Sequence, residues 1–107
     1  MVELKVTVFE RLFSTDDVRV THMVLAPGDE VPWHFHQHVR DTFYAMRGPV
    51  TIFTRDPEGE AILHAGETFQ TRIRQPHRVV NTSDREVSVL LIQGVGEYDI
   101  QPLPISR

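Results

Sequence analysis

The sequence of 107 residues contains no cysteine. That absence excludes disulfide support for the fold, a thiolate metal site and a cysteine nucleophile. Long hydrophobic runs are missing as well, and none nears the ~20 apolar residues that a membrane-crossing helix needs. Positive charge is in short supply: 11 Lys and Arg stand against 15 Asp and Glu, a formal balance of -4. Without a net basic field there is nothing general to attract phosphates, so nucleic acid is not an expected partner. A sustained helical periodicity is the last absence, and it points away from any long helix. Internal repeats, low-complexity segments and domain linkers are likewise missing, so one domain spanning residues 1–107 is expected.

What is present is alternation. Residues 2–9 place Val2, Leu4, Val6 and Val8 on one face of a half-buried strand, a pattern unlike a signal peptide. A cytoplasmic protein with no membrane partner is the resulting expectation. Arg11 to Asp17 reads as a polar connector. Residues 18–26 put Val18, Val20, His22, Val24 and Ala26 on one side and end at the Pro27-Gly28 turn. Short strands are expected at Thr42–Met46, Val50–Thr54 and Glu60–His64, with a turn at Asp56-Pro57-Glu58-Gly59. Thr68 to Ile73 and Arg78 to Val80 read as extended, and residues 87–94 form the most hydrophobic strand. From Gly96 a Pro-containing tail is expected to lie over the outside or meet a partner. Short strands at regular spacing, separated by turn chemistry, predict an all-β antiparallel sandwich or barrel.

Histidines concentrate the chemistry. Three of the six fall within five positions, His34, His36 and His38, and Asp41 follows. On a strand, residues two apart share a face, so His34 and His36 project together and Phe35 turns the other way into packing. A third ligand must come from a strand distant in sequence, and His77, fixed by Pro76 just before it, is the best candidate. A buried cluster of imidazoles is costly unless an ion satisfies it. His34, His36 and His77 are therefore candidate metal ligands, with Asp41 a candidate fourth.

The other histidines read differently. Alternation would keep His38 on the ligand face, whereas a loop between His36 and Asp41 would put it near the pocket mouth. His22 reads as a strand histidine and His64 as exposed.

These residues carry a resemblance. Gly28, five residues, His34-Phe35-His36, four residues, Asp41, six residues and Gly48 follow the first signature of the cupins, G-x5-H-x-H-x(3,4)-E-x6-G, with Asp in place of Glu. Gly66, His77 and Asn81 fall in register with the second, G-x5-P-x-G-x2-H-x3-N, but Arg72 and Arg74 occupy its Pro and Gly positions. The chain thus resembles a small single-domain cupin, which implies a jelly-roll barrel, or double-stranded β-helix. Motif one lies at residues 28–48 and motif two at 66–81.

The resemblance implies His34, His36, His77 and Asp41 as ligands of a divalent transition metal, Fe, Mn, Ni or Zn. Asp is shorter than Glu by one methylene. Either Asp41 sits closer and binds, or it hydrogen-bonds a ligand histidine or a metal-bound water. Catalytic candidates that could move a proton are Asp41 and His38. Substrate-contact candidates are Phe43 and Phe53, with Phe69 and Trp33 beside them, although plain core packing is the simpler reading of each. Arg72 and Arg74 share a face if their segment is extended, and a guanidinium pair suits a carboxylate or phosphate.

The function implied is that of a metalloenzyme acting on a small oxygenated molecule by dioxygenase, isomerase or lyase chemistry. The alternative is a non-catalytic module binding a small ligand. A homodimer is the expected assembly, since members of the family usually pair.

Overall fold

The computed structural model describes residues 5–95, and within them every regular element is a strand. In chain order these are β1 (Val8–Ser14), β2 (Val18–Leu25), β3 (Glu30–His34), β4 (Val39–Arg47), β5 (Val50–Thr54), β6 (Gly59–Leu63), β7 (Thr68–Gln70), β8 (His77–Val80) and β9 (Val87–Val95). They form two antiparallel sheets: β1-β2-β9-β4-β7 and β3-β8-β5-β6. This is a jelly-roll arrangement. The barrel expectation needs one correction, because the hydrogen-bonded ladders do not close into a cylinder. β7 is only three residues long and pairs with β4 alone, so the two sheets face one another with open edges.

The core lies between them. Met23 and Leu25 of β2, Phe43 and Ala45 of β4, and Val87, Val89 and Leu91 of β9 come from the larger sheet. Val31, Val50, Ile52, Leu63 and Val79 meet them from the smaller one. The buried side of β2 is Thr21, Met23 and Leu25, opposite to the Val18, Val20, His22 and Val24 row, whose members stay partly covered. His22 sits on that outer side and hydrogen-bonds Ser88 through Nε2 at 2.8 Å. β1 is an edge strand running on to Ser14, so residues 11–14 are strand rather than connector, and Val8 is exposed. Val6 packs on the core as expected, while Val2, Leu4 and the tail from Gly96 lie outside the described residues.

Two glycines of the signatures have local physical reasons. A Cβ at Gly48 would collide with the carbonyl oxygen of Leu63, so only glycine lets β4 and β6 approach there. Gly66 has φ +89 and turns the chain into β7. Asn81 is fully buried and acts as a staple. Its Nδ2 donates to the Leu25 carbonyl at 2.8 Å and to the Arg85 carbonyl at 2.7 Å, and its Oδ1 accepts from the Ser83 amide at 3.0 Å. No helix of the described residues is long and apolar enough to cross a membrane.

Candidate metal centre

His34 ends β3 and His77 begins β8, and the two are register partners in adjacent antiparallel strands. The ladder therefore sets their side chains beside each other, with ring centroids 4.3 Å apart. A register irregularity between Val31 and His34 lets both residues face inward, although three positions separate them. His36 follows just beyond the strand, its ring 4.9 Å from that of His34 and 5.8 Å from that of His77.

Asp41 arrives from the opposite sheet. It is an inward residue of β4, only 1 % exposed, and its Oδ2 lies 3.2 Å from His36 Nε2 and 2.9 Å from His77 Nε2. Its Oδ1 accepts a hydrogen bond from Gln93 Nε2 at 3.0 Å, across the β4–β9 ladder where the two residues are paired. Thr71 fixes the backbone: its amide donates to the Asp41 carbonyl at 2.9 Å, and its hydroxyl accepts from the Asp41 amide at 3.2 Å.

Ring orientation is pinned from behind. His34 Nδ1 donates to the Pro32 carbonyl at 2.8 Å, and His77 Nδ1 donates to the Gln75 carbonyl at 2.9 Å. In both, the partner is the backbone two residues earlier. This fixes the tautomer that leaves Nε2 as the lone-pair nitrogen aimed into the site, an arrangement shared by metal-binding histidines. His77 then shows the mismatch that a cation resolves. Both of its nitrogens face acceptors, yet a neutral imidazole has only one N–H. One ligand atom from each of His34, His36, Asp41 and His77 lies within 4.8 Å of all the others. The separations of Asp41 Oδ2 from the two imidazole nitrogens, 2.9 and 3.2 Å, equal the roughly 3 Å between neighbouring donors around an ion bonded at about 2.0–2.1 Å. The donor set fits a transition metal.

The electrostatics follow from the same contacts. Burial would by itself raise the Asp41 carboxyl, but its polar contacts with His36, His77 and Gln93 outweigh it and hold the group well below the usual carboxylate range. The bond to Asp41 raises His36 above an ordinary histidine, against the opposing effect of burial. His34 is lowered, chiefly by burial and further by the neighbouring imidazoles of His77 and His36.

The cluster opens on a cavity of about 310 Å³. His34, His36, Asp41 and Gln93 form its polar end, and Phe9, Met23, Val31, Phe35, Phe43, Val79 and Leu91 its wall. Phe43 therefore does face the site. Phe35 is not packed away as its alternation suggests: at 53 % exposed it borders the cavity.

The remaining candidates lie elsewhere. Phe53 points to the far side of β5, opposite the inward Ile52, with the Arg78 guanidinium 5.7 Å from its ring. Trp33 is covered by the Arg55 guanidinium at 4.1 Å, and Phe69 packs on the core. His38 is exposed and borders a neighbouring depression with Arg19 and Gln37, and His64 is exposed as expected.

Arg72 and Arg74 do not form an extended pair. The Gln75 amide donates to the Arg72 carbonyl at 3.1 Å and closes a turn in which Arg74 adopts φ 63. Arg74 thus holds the left-handed conformation that glycine adopts without strain. Its amide donates to the His36 carbonyl at 2.8 Å and ties the turn before His77 to the loop after His34. Both arginine side chains are exposed and line no part of the histidine cavity.

Gln93 is not evident as a site residue from spacing. Its signal is that it extends the inward row Val87, Val89 and Leu91 of β9 with a polar side chain.

A cupin-domain profile matches residues 21–93, and the chain belongs to the cupin family. Among solved structures it is similar to the TT1209 protein of Thermus thermophilus, with 24 % identity over 82 % of each chain and a TM-score of 0.76. It is also similar to a cupin-2 domain containing protein from Shewanella frigidimarina, with 20 % identity over 84 % of this chain and 82 % of that one and a TM-score of 0.69. An oxalate oxidase superposes with a TM-score of 0.68 at 20 % identity, covering 74 % of this chain and 42 % of the oxidase. At such identities the likeness speaks for the fold alone. No curated protein matches the chain in sequence.

Proposed function

We propose that this cupin binds one divalent transition ion, of the Fe, Mn, Ni or Zn class, through His34, His36, His77 and Asp41, and acts as a metalloenzyme on a small oxygen-bearing molecule. The observation that carries the reading is the convergence of four donors, from β3, the loop after it, β4 and β8, to within 4.8 Å. A bound ion would supply Lewis-acid polarisation, activation of water or, if redox-active, access to dioxygen.

The chain's own residues do the rest. The carbonyls of Pro32 and Gln75 orient two of the imidazoles, and Gln93 holds the far oxygen of Asp41. Asp41, ionised at neutral pH, would offer Oδ2 to the ion as a charged donor, with His36 beside it. Val31, Phe43, Val79 and Leu91 keep bulk water from the cavity wall. The likeness to an oxalate oxidase supports testing dioxygen first, although a shared fold does not carry a shared reaction.

A second reading, a module that binds a small ligand without turning it over, is favoured by the mostly apolar wall of the cavity. Metal analysis of untagged protein, followed by dioxygen uptake and isomerase and lyase assays, separates the two. Stoichiometric metal with turnover of one substrate supports the enzyme. Stoichiometric metal with none supports the module, and absence of metal rejects the enzyme. For assembly we infer pairing with a second copy through the outer face of the larger sheet, where Val8, Phe13 and Tyr44 are exposed. A monomeric mass in sedimentation would reject that.

A further inference from the structure

The walls of the cavity restrict what it can hold. We propose that its ligand is a small molecule with one oxygen-bearing head and an uncharged, apolar body, rather than a compact anion charged at both ends. The inference rests on the metal reading only for the head. The body is read from the wall alone.

Polar side chains occupy one end only, where His34, His36, Asp41 and Gln93 meet. The remaining lining is Phe9, Met23, Val31, Phe35, Phe43, Val79 and Leu91, without a hydroxyl, an amide or a cation among those side chains. Among the described residues no lysine or arginine lines the cavity. Arg19 lies in the adjoining depression, which meets the cavity at Phe35, His36 and Gln93. Arg72 opens on a different depression with Gln75 and Glu60, and Arg74 is exposed.

A ligand held at the polar end therefore projects its remainder against hydrocarbon. A second carboxylate or a phosphate there would lose water and gain no partner, which is strongly unfavourable. An alkyl or aromatic body in the same place gains affinity with the apolar area it buries. The volume of about 310 Å³ lies at the small end of the roughly 300–1,000 Å³ range of ligand pockets. Phe9 and Phe35, both partly exposed, give the mouth the same apolar character.

The test is titration of the full chain, metal-free and zinc-loaded, with benzyl alcohol and with oxalate, followed by the methyl NMR signals of Met23, Val31, Val79 and Leu91. Benzyl alcohol is expected to shift these methyls in both forms and to bind about tenfold or more tightly than oxalate. Phe35→Lys, at an exposed position that should not disturb folding, is expected to weaken benzyl alcohol several-fold and to narrow the gap. Oxalate binding the zinc form more tightly than benzyl alcohol would overturn the proposal, the more so if Arg19→Ala abolished it. Benzyl alcohol leaving all four methyls unmoved in both forms would overturn it too. Methyl shifts in a protein that takes up no zinc would uphold the proposal and reject the metal reading. Zinc uptake without methyl shifts would do the reverse.

Discussion

The two sheets contribute to the metal centre in different ways. The smaller sheet supplies His34 and His77, and main-chain carbonyls lock both rings. The larger sheet supplies Asp41, which is steered by another side chain, Gln93, and by the imidazoles it faces. Backbone support survives almost any neighbouring substitution, whereas side-chain support can be removed one residue at a time. The imidazole half should therefore respond only to loss of its own members, and the carboxylate half should respond to its surroundings.

The largest effect is expected from the imidazoles. His34→Ala or His77→Ala should abolish stoichiometric metal binding, and His64→Ala should leave it intact, as read by metal content after dialysis. Equal metal content in all three would reject the assignment of the imidazoles as ligands. Next comes Asp41→Asn, which keeps the shape and deletes the charge. Metal affinity in competition with a chelator should fall about a hundredfold or more, at least the upper range for residues that only orient a ligand. Gln93→Leu leaves the donor in place and frees its other oxygen, so the loss should be nearer tenfold. A wild-type affinity in Gln93→Leu would show that the carboxylate half is as self-sufficient as the imidazole half.

Proton competition sharpens the same contrast. Metal ligands bind deprotonated, and His36 holds its proton more tightly than an ordinary histidine because Asp41 accepts from it. Metal affinity should thus begin to fall at a pH above about 6.5, the ordinary histidine value, and keep falling as pH decreases. In the metal-free protein the raised His36 contributes stability that is complete below about 6.5 and is lost as pH rises through its folded value. Asp41 has the opposite sign. Its depressed carboxyl contributes stability that is complete above about pH 4 and lost only in stronger acid. Urea titrations of the metal-free protein across about pH 3–8, with Asp41→Asn as the control, would expose the His36 window and the onset of the Asp41 one.

The smallest effect concerns the turn that links the halves. Arg74 occupies the glycine position of the second signature with φ 63. Arg74→Gly should stabilise the protein by up to about 1 kcal/mol by relieving the left-handed strain, with metal affinity unchanged. A drop in metal affinity would mean that the guanidinium, and not only the backbone, serves the site.

Much of the centre is legible in the sequence, because the spacing of its ligands marks them. His34 and His36 do reach one site, although His36 lies just past the end of β3 and Phe35 is exposed, and Asp41 announces the inward row continued by Phe43 and Ala45. Phe53 and the β2 row mislead for a common reason. Where both faces of a strand carry apolar residues, as in VTIFT and VRVTHMVL, alternation does not say which face is inside. The first strand is expected to stop at Phe9 whereas β1 runs on to Ser14, because an exposed edge strand has no buried side to enforce a pattern. Arg72 and Arg74 suggest an anion clamp from side-chain chemistry, whereas the observed contribution of Arg74 is its backbone amide. Gln93 becomes visible only when β9 is seen paired with β4, since its role depends on a partner 52 residues away.

Anomalous diffraction from a crystal of untagged, untreated protein is the most direct test. A single strong peak bonded to Nε2 of His34, His36 and His77 and to Oδ2 of Asp41 is the expected result. Imidazoles turned away from one another, or a site holding only water after growth in metal-replete medium, would contradict it.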